Sequence, residues 1–357
     1  MSAGGLNKVE IAALTVAGAF TLATGFLHFT GGDEVVTFVI GAIALAGIAW
    51  IVSFATEAVG ERFGPATTGV LQSSLGNLPE FFIVLFALSA GEIVVAQTAI
   101  LGSIFANALL VLGLVIVAGA YRSRDGVMRF QAKLPNDTMT LLMLAVFIIV
   151  LLGLSDTLGD AASAHLNTIS IVGAVLLLSV YVVWLWGYLR GAETPGEGRA
   201  RRHEPRIGLS VSVPLLAVAG TGAALVSDWF VEALAPAIDR IGISRAFTGL
   251  VIVAIAGNAV ENVVGVVLAW RGKSDLAISV VKNSVSQIAV FLFPLLVLCS
   301  LFFATPLTFV VEPIFIAALA LMAVAVWQVT TDGEAAAFEG WALMALYAIL
   351  ATLVFFE

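Results

Sequence analysis

Gly76-Asn77-Leu78-Pro79-Glu80 and Gly257-Asn258-Ala259-Val260-Glu261 are two copies of one short pattern, set 181 residues apart. Each puts a carboxylate in the middle of an apolar run long enough to lie within a bilayer. A charge at that depth costs roughly 2.5 to 3.5 kcal/mol on insertion scales, so two at equivalent places imply a function. The rest of the sequence agrees with a membrane setting. It is 61% hydrophobic and 11% charged, with a mean hydropathy of +1.08, outside the range of soluble domains. The expected fold class is an all-α polytopic membrane protein.

A helix needs about 20 apolar residues to cross some 30 Å of hydrocarbon. Eleven such runs can be counted, near 9–28, 34–56, 66–89, 93–119, 137–155, 165–189, 207–227, 246–270, 275–302, 307–329 and 338–356. A further stretch, 228–242, alternates apolar with acidic residues and reads as an amphipathic helix at the membrane surface. The first run follows Lys8 and lacks a small-residue cleavage site, so it reads as a retained helix and not a signal peptide.

Aligned without gaps, Gly76, Asn77, Glu80, Gly91, Ala96 and Ser103 meet Gly257, Asn258, Glu261, Gly272, Ala277 and Ser284. Self-similarity over this length marks a structural repeat. Each copy covers five spans, an odd number, so the two thread the membrane in opposite senses. The expected organisation is an extra N-terminal helix (1–32), a first five-helix repeat (33–190), a linker (191–206) and a second five-helix repeat (207–357). In inverted repeats, sites lie near the midplane, where helices are interrupted.

Lysine and arginine set the orientation. With the N-terminus inside, the inner side receives thirteen of them, including Arg122, Arg124, Arg129 and Lys133 in one loop and Arg190, Arg199, Arg201, Arg202 and Arg206 in another. The outer side receives Arg240 and Arg245, and Lys282 falls within a span. This predicts a cytoplasmic N-terminus and an external C-terminus, in the plasma membrane of a prokaryote. The basic residues form loops and no nucleic-acid patch. Cys299 is a lone core residue, and His203 is a loop residue in the linker.

Several readings concern the site itself. Glu80 lies about 10 residues before the predicted turn at Ala90-Gly91, and Ser103 about 12 after it, which puts both near mid-membrane. Glu261, Lys282 and Ser284 repeat that placement around Gly272. Gly76 and Pro79 weaken the first helix, and the copy with Val260 in place of proline predicts a milder break. Freed carbonyls, the two carboxylates, the Asn77 and Asn258 amides and nearby hydroxyls form an all-oxygen set. Such a set suits a hard cation, Ca2+ above all. Ser103 and Asn107 share one helix face, and Ser279, Asn283 and Gln287 another, as ligands or as interhelical hydrogen-bonding groups. Gly102, Ala106 and Ala99 make a small-residue face that permits close packing.

At these residues the chain resembles the cation/proton exchanger family of the Ca2+:cation antiporter superfamily. ATEAVGERFGPATTGVLQSSLGNLPEFFIVLFAL (55–88) and AQTAILGSIFANALLVLG (96–113) are similar to the family's first repeat. VEALAPAIDRIGISRAFTGLVIVAIAGNAVENVV (231–264) and SQIAVFLFP (286–294) are similar to its second. The resemblance implies exchange of Ca2+, or a related divalent cation, for protons by alternating access, with the lipid bilayer as the other partner and no bound cofactor. It implies Glu80 and Glu261 as shared cation and proton ligands, with Asn77, Asn258, Ser103, Ser284 and Gln287 as neighbours. The second and seventh helices would slide across the site helices, with Glu57 and Asp228 near the access pathways or serving as polar anchors. Where the family has glycine the chain has Asn283, preceded by Lys282. Lys282 has three readings: it snorkels or pairs outside the site, it forms a switchable ion pair with Glu261 or Glu80, or it replaces one bound cation in an antiporter of monovalent ions. A Na+/Ca2+ exchanger is the other alternative. An enzyme is not expected, since neither HExxH nor GxSxG occurs.

Overall fold

The computed structural model describes residues 6–60, 75–191 and 207–357, apart from a few side chains that include those of Lys133, Val260 and Glu261. The predicted linker, with His203, lies from residue 192 onward outside the described residues, as does Arg62. Among the described residues twelve helices follow in order: α1 (Lys8–Thr30), α2 (Glu34–Gly60), α3 (Leu78–Ser89), α4 (Ile93–Arg122), α5 (Lys133–Leu158), α6 (Leu166–Gly191), α7 (Leu209–Ile241), α8 (Arg245–Gly257), α9 (Ala259–Trp270), α10 (Ser274–Phe302), α11 (Pro313–Thr330) and α12 (Ala337–Phe355). A short antiparallel pair, β1 (Val127–Arg129) and β2 (Glu334–Ala336), was not foreseen.

Nine of the described helices are long and apolar enough to cross a membrane. A tenth crossing forms if α8 and α9, bent by 56°, are one span. The predicted span 66–89 is described only as α3, because residues 61–74 lie outside the described residues. The expected count of eleven is therefore not reached among them. One expectation is corrected. Residues 228–242 are not a separate surface helix, since α7 runs unbroken for 33 residues through them. The reason is packing: Phe230, Val231, Leu234, Ala237 and Ile238 carry on, at helical spacing, the buried face begun by Ala223 and Val226.

The chain divides into two compact units. The first comprises residues 1–90 and 182–242, the second 91–181 and 243–357. In the first, α7 packs along α2, and both contact α1. Helices in lipid gain little from hydrophobicity, so close steric fit has to hold them together. Ala44, Leu45, Ile48, Val52 and Ala55 present that fit on α2, and Phe38 stacks on Phe230 at 4.9 Å between ring centroids. α3 also packs against α7. At one end of this unit Arg240 pairs with Asp33 and holds its carboxyl below the usual carboxylate range, helped by the backbone N–H of Val36.

In the second unit α4 is central. The most apolar part of α4 is 89% buried, against 28% for α12. Polar contacts tie the loops at each end of this unit. At one end Arg245 pairs with Glu92 at 3.0 Å, and Ser244 Oγ donates to the Val354 carbonyl. At the other, Arg129 bridges Asp125 and Glu334, while the Gln131 N–H donates to Asp275 at 2.7 Å. Loops 122–133, 271–275 and 331–337 thus share one end, as alternating spans require, and that end collects Arg122, Arg124, Arg129, Arg271 and Lys273.

Candidate functional site

Both predicted helix interruptions are present, and both fall on asparagine. α3 starts after Asn77 (φ −85°, ψ 12°), and α9 starts after Asn258 (φ −96°, ψ 15°). The two asparagine backbones nearly coincide although only the first break carries proline. Pro79 lies in the first turn of α3, where a missing N–H has no helical partner to lose. The proline therefore accompanies the break and does not cause it.

The 181-residue offset extends to the backbone. α3 maps onto α9 end to end, the start of α4 onto the start of α10, and the turn glycines Gly91 and Gly272 share a φ of 79°. It also covers a feature that the sequence did not reveal. α4 has a π-helical segment at Ala106–Val111 and α10 has one at Ile288–Leu292, the equivalent place, while α8 has a third at Thr248–Val253, just before its break. Such segments are rare and concentrate at functional sites, because the extra residue redirects the side chains of that turn.

Asn77 and Glu80 belong to the first unit. Both are buried, and Glu80, 3% exposed, sits in the first turn of α3. Glu57 lies exposed near the end of α2, and Asp228 half-buried within α7. Glu261 occupies the first turn of α9, and its side chain lies outside the described residues.

The second unit gathers Ser103, Asn107 and Asn258 into one fully buried cluster. Asn258 Nδ2 donates to Ser103 Oγ at 2.8 Å and to the Ala254 carbonyl at 2.9 Å. Asn107 Nδ2 donates to Asn258 Oδ1 at 2.7 Å and to the Ser103 carbonyl at 3.0 Å. Asn258, expected as a ligand, therefore has its whole amide engaged in clamping α9 to α4. The clamp depends on a close approach of helices. A Cβ on Gly102 would lie 2.3 Å from the Leu250 carbonyl oxygen, so the small-residue face of α4 is required by contact with α8.

Several buried side-chain oxygens of α4, α9 and α10 have no donor. Asn107 Oδ1, Ser284 Oγ and Gln287 Oε1 are buried without a hydrogen-bond partner, as are Asn283 Oδ1 and Asn262 Oδ1. Buried polar atoms are nearly always paired, so such a set marks a place prepared for something else. Asn262 was missed in the sequence. Its signal is the spacing of four from Asn258 inside an apolar run, and its N–H donates to the Asn258 carbonyl at 3.1 Å. Among the described residues no three His, Cys, Asp or Glu side chains come together.

Lys282 is buried, with Nζ 3.3 Å from Thr330 Oγ1 and 3.6 Å from Met139 Sδ. At 3.6 residues per turn it points about 140° to 160° away from Ser284 and Gln287. Ser286, on its own side, donates to the Thr138 carbonyl at 2.8 Å. The lysine thus reaches toward α5 and α11, and no described carboxylate lies within ion-pairing distance of it.

Residues 34–189 and 211–356 match the family described as sodium/calcium exchanger protein. The chain is 33% identical to a vacuolar calcium ion transporter of Schizosaccharomyces pombe, over 89% of this chain and 79% of that one. It is 31% identical to a Ca2+/H+ antiporter of Synechocystis, over 92% and 93% respectively. Its fold is similar to the solved structure of native YfkE, with a TM-score of 0.81 at 25% identity, covering 97% of this chain and all of that one. The sodium-calcium exchanger NCX_Mj, at a TM-score of 0.59 and 20% identity, covers 89% of this chain and 98% of that one and shares the fold alone.

Proposed function

The chain belongs to the sodium/calcium exchanger protein family, and within it to the cation/proton exchangers, and on that premise we propose that it exchanges Ca2+ for protons across a membrane by alternating access. Glu80 and Glu261 are the carboxylates that hold either Ca2+ or protons. Coupling follows from competition: a carboxylate oxygen that carries a proton cannot at the same time coordinate the metal. Asn77, Ser103, Ser284 and Gln287 supply neutral oxygens, and Asn107, Asn262 and Asn283 add amide oxygens to the same task. Asn258 fixes the geometry of α9 against α4.

The observation that carries the proposal is the set of buried acceptors without donors. Asn107 Oδ1, Ser284 Oγ and Gln287 Oε1 need a donor or a cation, and a hard cation such as Ca2+ takes six to eight oxygens at about 2.3 to 2.6 Å. The N-terminus faces the cytoplasm and the C-terminus the outside, in the plasma membrane of a prokaryote, because basic loop residues collect on the cytoplasmic side. Residues 33–190 and 207–357 act as the two inverted repeats, with 1–32 an added helix and 191–206 the link between them. Ca2+ binds from the cytoplasmic side with both carboxylates ionised, and protonation at the more acidic outer side favours its release. Glu80→Gln and Glu261→Gln test this directly: each should abolish Ca2+/H+ exchange in proteoliposomes while the purified protein keeps its thermal midpoint. Robust exchange by either variant would remove that carboxylate from the mechanism.

A further inference from the structure

At the end of the second unit that carries the β1–β2 pair, a cavity of about 500 Å3 opens between α5 and α11, lined by Asn136, Met139, Thr140, Met143, Trp327 and Thr331. Asn136 lies in the first turn of α5, and Thr331 directly follows α11. The cavity is therefore at the level where helices leave the hydrocarbon. Lys282 reaches toward it from α10. Its stem runs through the packed interior, as long cationic side chains do when the head seeks the interface. Among the described residues its Nζ makes polar contacts with Met139, which lines the cavity, and with Thr330, adjacent to Thr331.

The ammonium is poorly satisfied there. Thr330 gives its own proton to the Val326 carbonyl at 2.7 Å, so its oxygen is free to accept from Lys282. Met139 contributes only a thioether, a weak acceptor. Among the described residues the ammonium has no third acceptor and no carboxylate within ion-pairing distance. The acidic residues of the neighbouring elements, Asp137 of α5, Asp275 of α10 and Asp332 beyond α11, are all exposed. A buried charge without a partner is strongly unfavourable, and an anion within reach of the ammonium would relieve it.

We propose that the α5–α11 cavity binds an anionic phospholipid, whose phosphate is the counter-ion of Lys282. The lining suits one. The Asn136 amide and the Thr140 and Thr331 hydroxyls can donate to phosphate and glycerol oxygens. Met139, Met143 and Trp327 make the apolar wall along which an acyl chain lies, and tryptophan is at home at this depth. Met139 is unbranched and can swing aside to let a phosphate oxygen reach Nζ. A net anionic head fits better than phosphatidylcholine, whose quaternary ammonium would oppose the lysine.

The test is native mass spectrometry of the purified full chain in detergent with added phosphatidylglycerol or phosphatidylcholine. The wild-type chain should retain phosphatidylglycerol about tenfold more strongly, a preference that corresponds to one tenfold step in affinity. Lys282→Met should lose the preference, and Lys282→Arg should keep it. Thr140→Trp, which fills the cavity and leaves Lys282 in place, should also lose it, so the result does not depend on one variant folding. A wild-type chain with no preference, or a Lys282→Met protein with the wild-type preference, overturns the proposal. Displacement of the lipid by millimolar inorganic phosphate overturns it too, since the occupant would then be a free anion.

Discussion

Replacing Gly102 with alanine should separate α4 from α8 and cost transport more than stability. The added Cβ would meet the Leu250 carbonyl oxygen at 2.3 Å, its Cα at 2.5 Å and its carbonyl carbon at 2.7 Å. All three are backbone atoms, so no side chain can move to relieve the contact. Ordinary carbon contacts begin near 3.5 Å, and the helices must part by about 1 Å. The clamp tolerates no such shift. An Asn258–Ser103 hydrogen bond of 2.8 Å and an Asn107–Asn258 bond of 2.7 Å would both stretch beyond bonding range. Overpacking of this kind costs about 1 to 3 kcal/mol, and each lost buried hydrogen bond about 1 kcal/mol. The protein should still fold, with a lowered thermal midpoint. Transport should fall about tenfold or more, since an error of about 1 Å in placing a functional group is costly. The assay is 45Ca2+ uptake into proteoliposomes with an acidic lumen, read beside the thermal midpoint. Gly91→Ala is the control: its φ of 79° makes the turn strained, but the new Cβ would meet open space. Wild-type uptake by Gly102→Ala would show that the close approach of α4 and α8 is not needed for the site.

Three further outcomes are expected. Pro79→Ala should keep most transport activity, because Asn258 makes the same break without proline; loss of uptake comparable to that of Glu80→Gln would restore the proline to a causal role. Asn258→Ala should reduce both uptake and thermal midpoint, because it removes the clamp that joins Ser103 to Asn107, whereas Gln287→Ala should weaken Ca2+ uptake and leave the midpoint within a degree or two. Asp33→Asn should lower the thermal midpoint at neutral pH and not at low pH. The Asp33 pKa is depressed in the folded state by Arg240, so its contribution is present above the ordinary carboxylate range and is lost as pH falls through the lowered value. A difference between Asp33→Asn and wild type that persists at low pH would refute this.

Much of the fold was legible in the sequence because a bilayer demands long apolar runs and penalises every exception. The spans, the turn glycines Gly91 and Gly272, and the breaks at Asn77 and Asn258 follow from that demand. In residues 228–242 the alternation with acidic residues suggests a surface helix, while the buried face of Phe230, stacked on Phe38 of α2, and Leu234 continues α7 through them. The π-helical segments left no trace in composition, since inserting one residue into a turn changes direction and not hydropathy. At the site, the pattern picked out Asn258 but not its use: spacing gives the level of an amide in the membrane, not the partner it finds. Lys282 is the same case. Its depth suggested the carboxylates, and among the described residues its Nζ meets Thr330 and Met139.

The most direct test of the central claim is a two-gradient experiment on one preparation of the purified chain in sealed proteoliposomes. With a pH gradient, acid inside, and no sodium, 45Ca2+ should accumulate, and the internal pH should rise in step with it. With an outward Na+ gradient at equal pH, no accumulation should occur, and Glu80→Gln should be silent under both conditions. Accumulation driven by Na+ at equal pH would contradict a Ca2+/proton exchanger and identify sodium as the coupling ion.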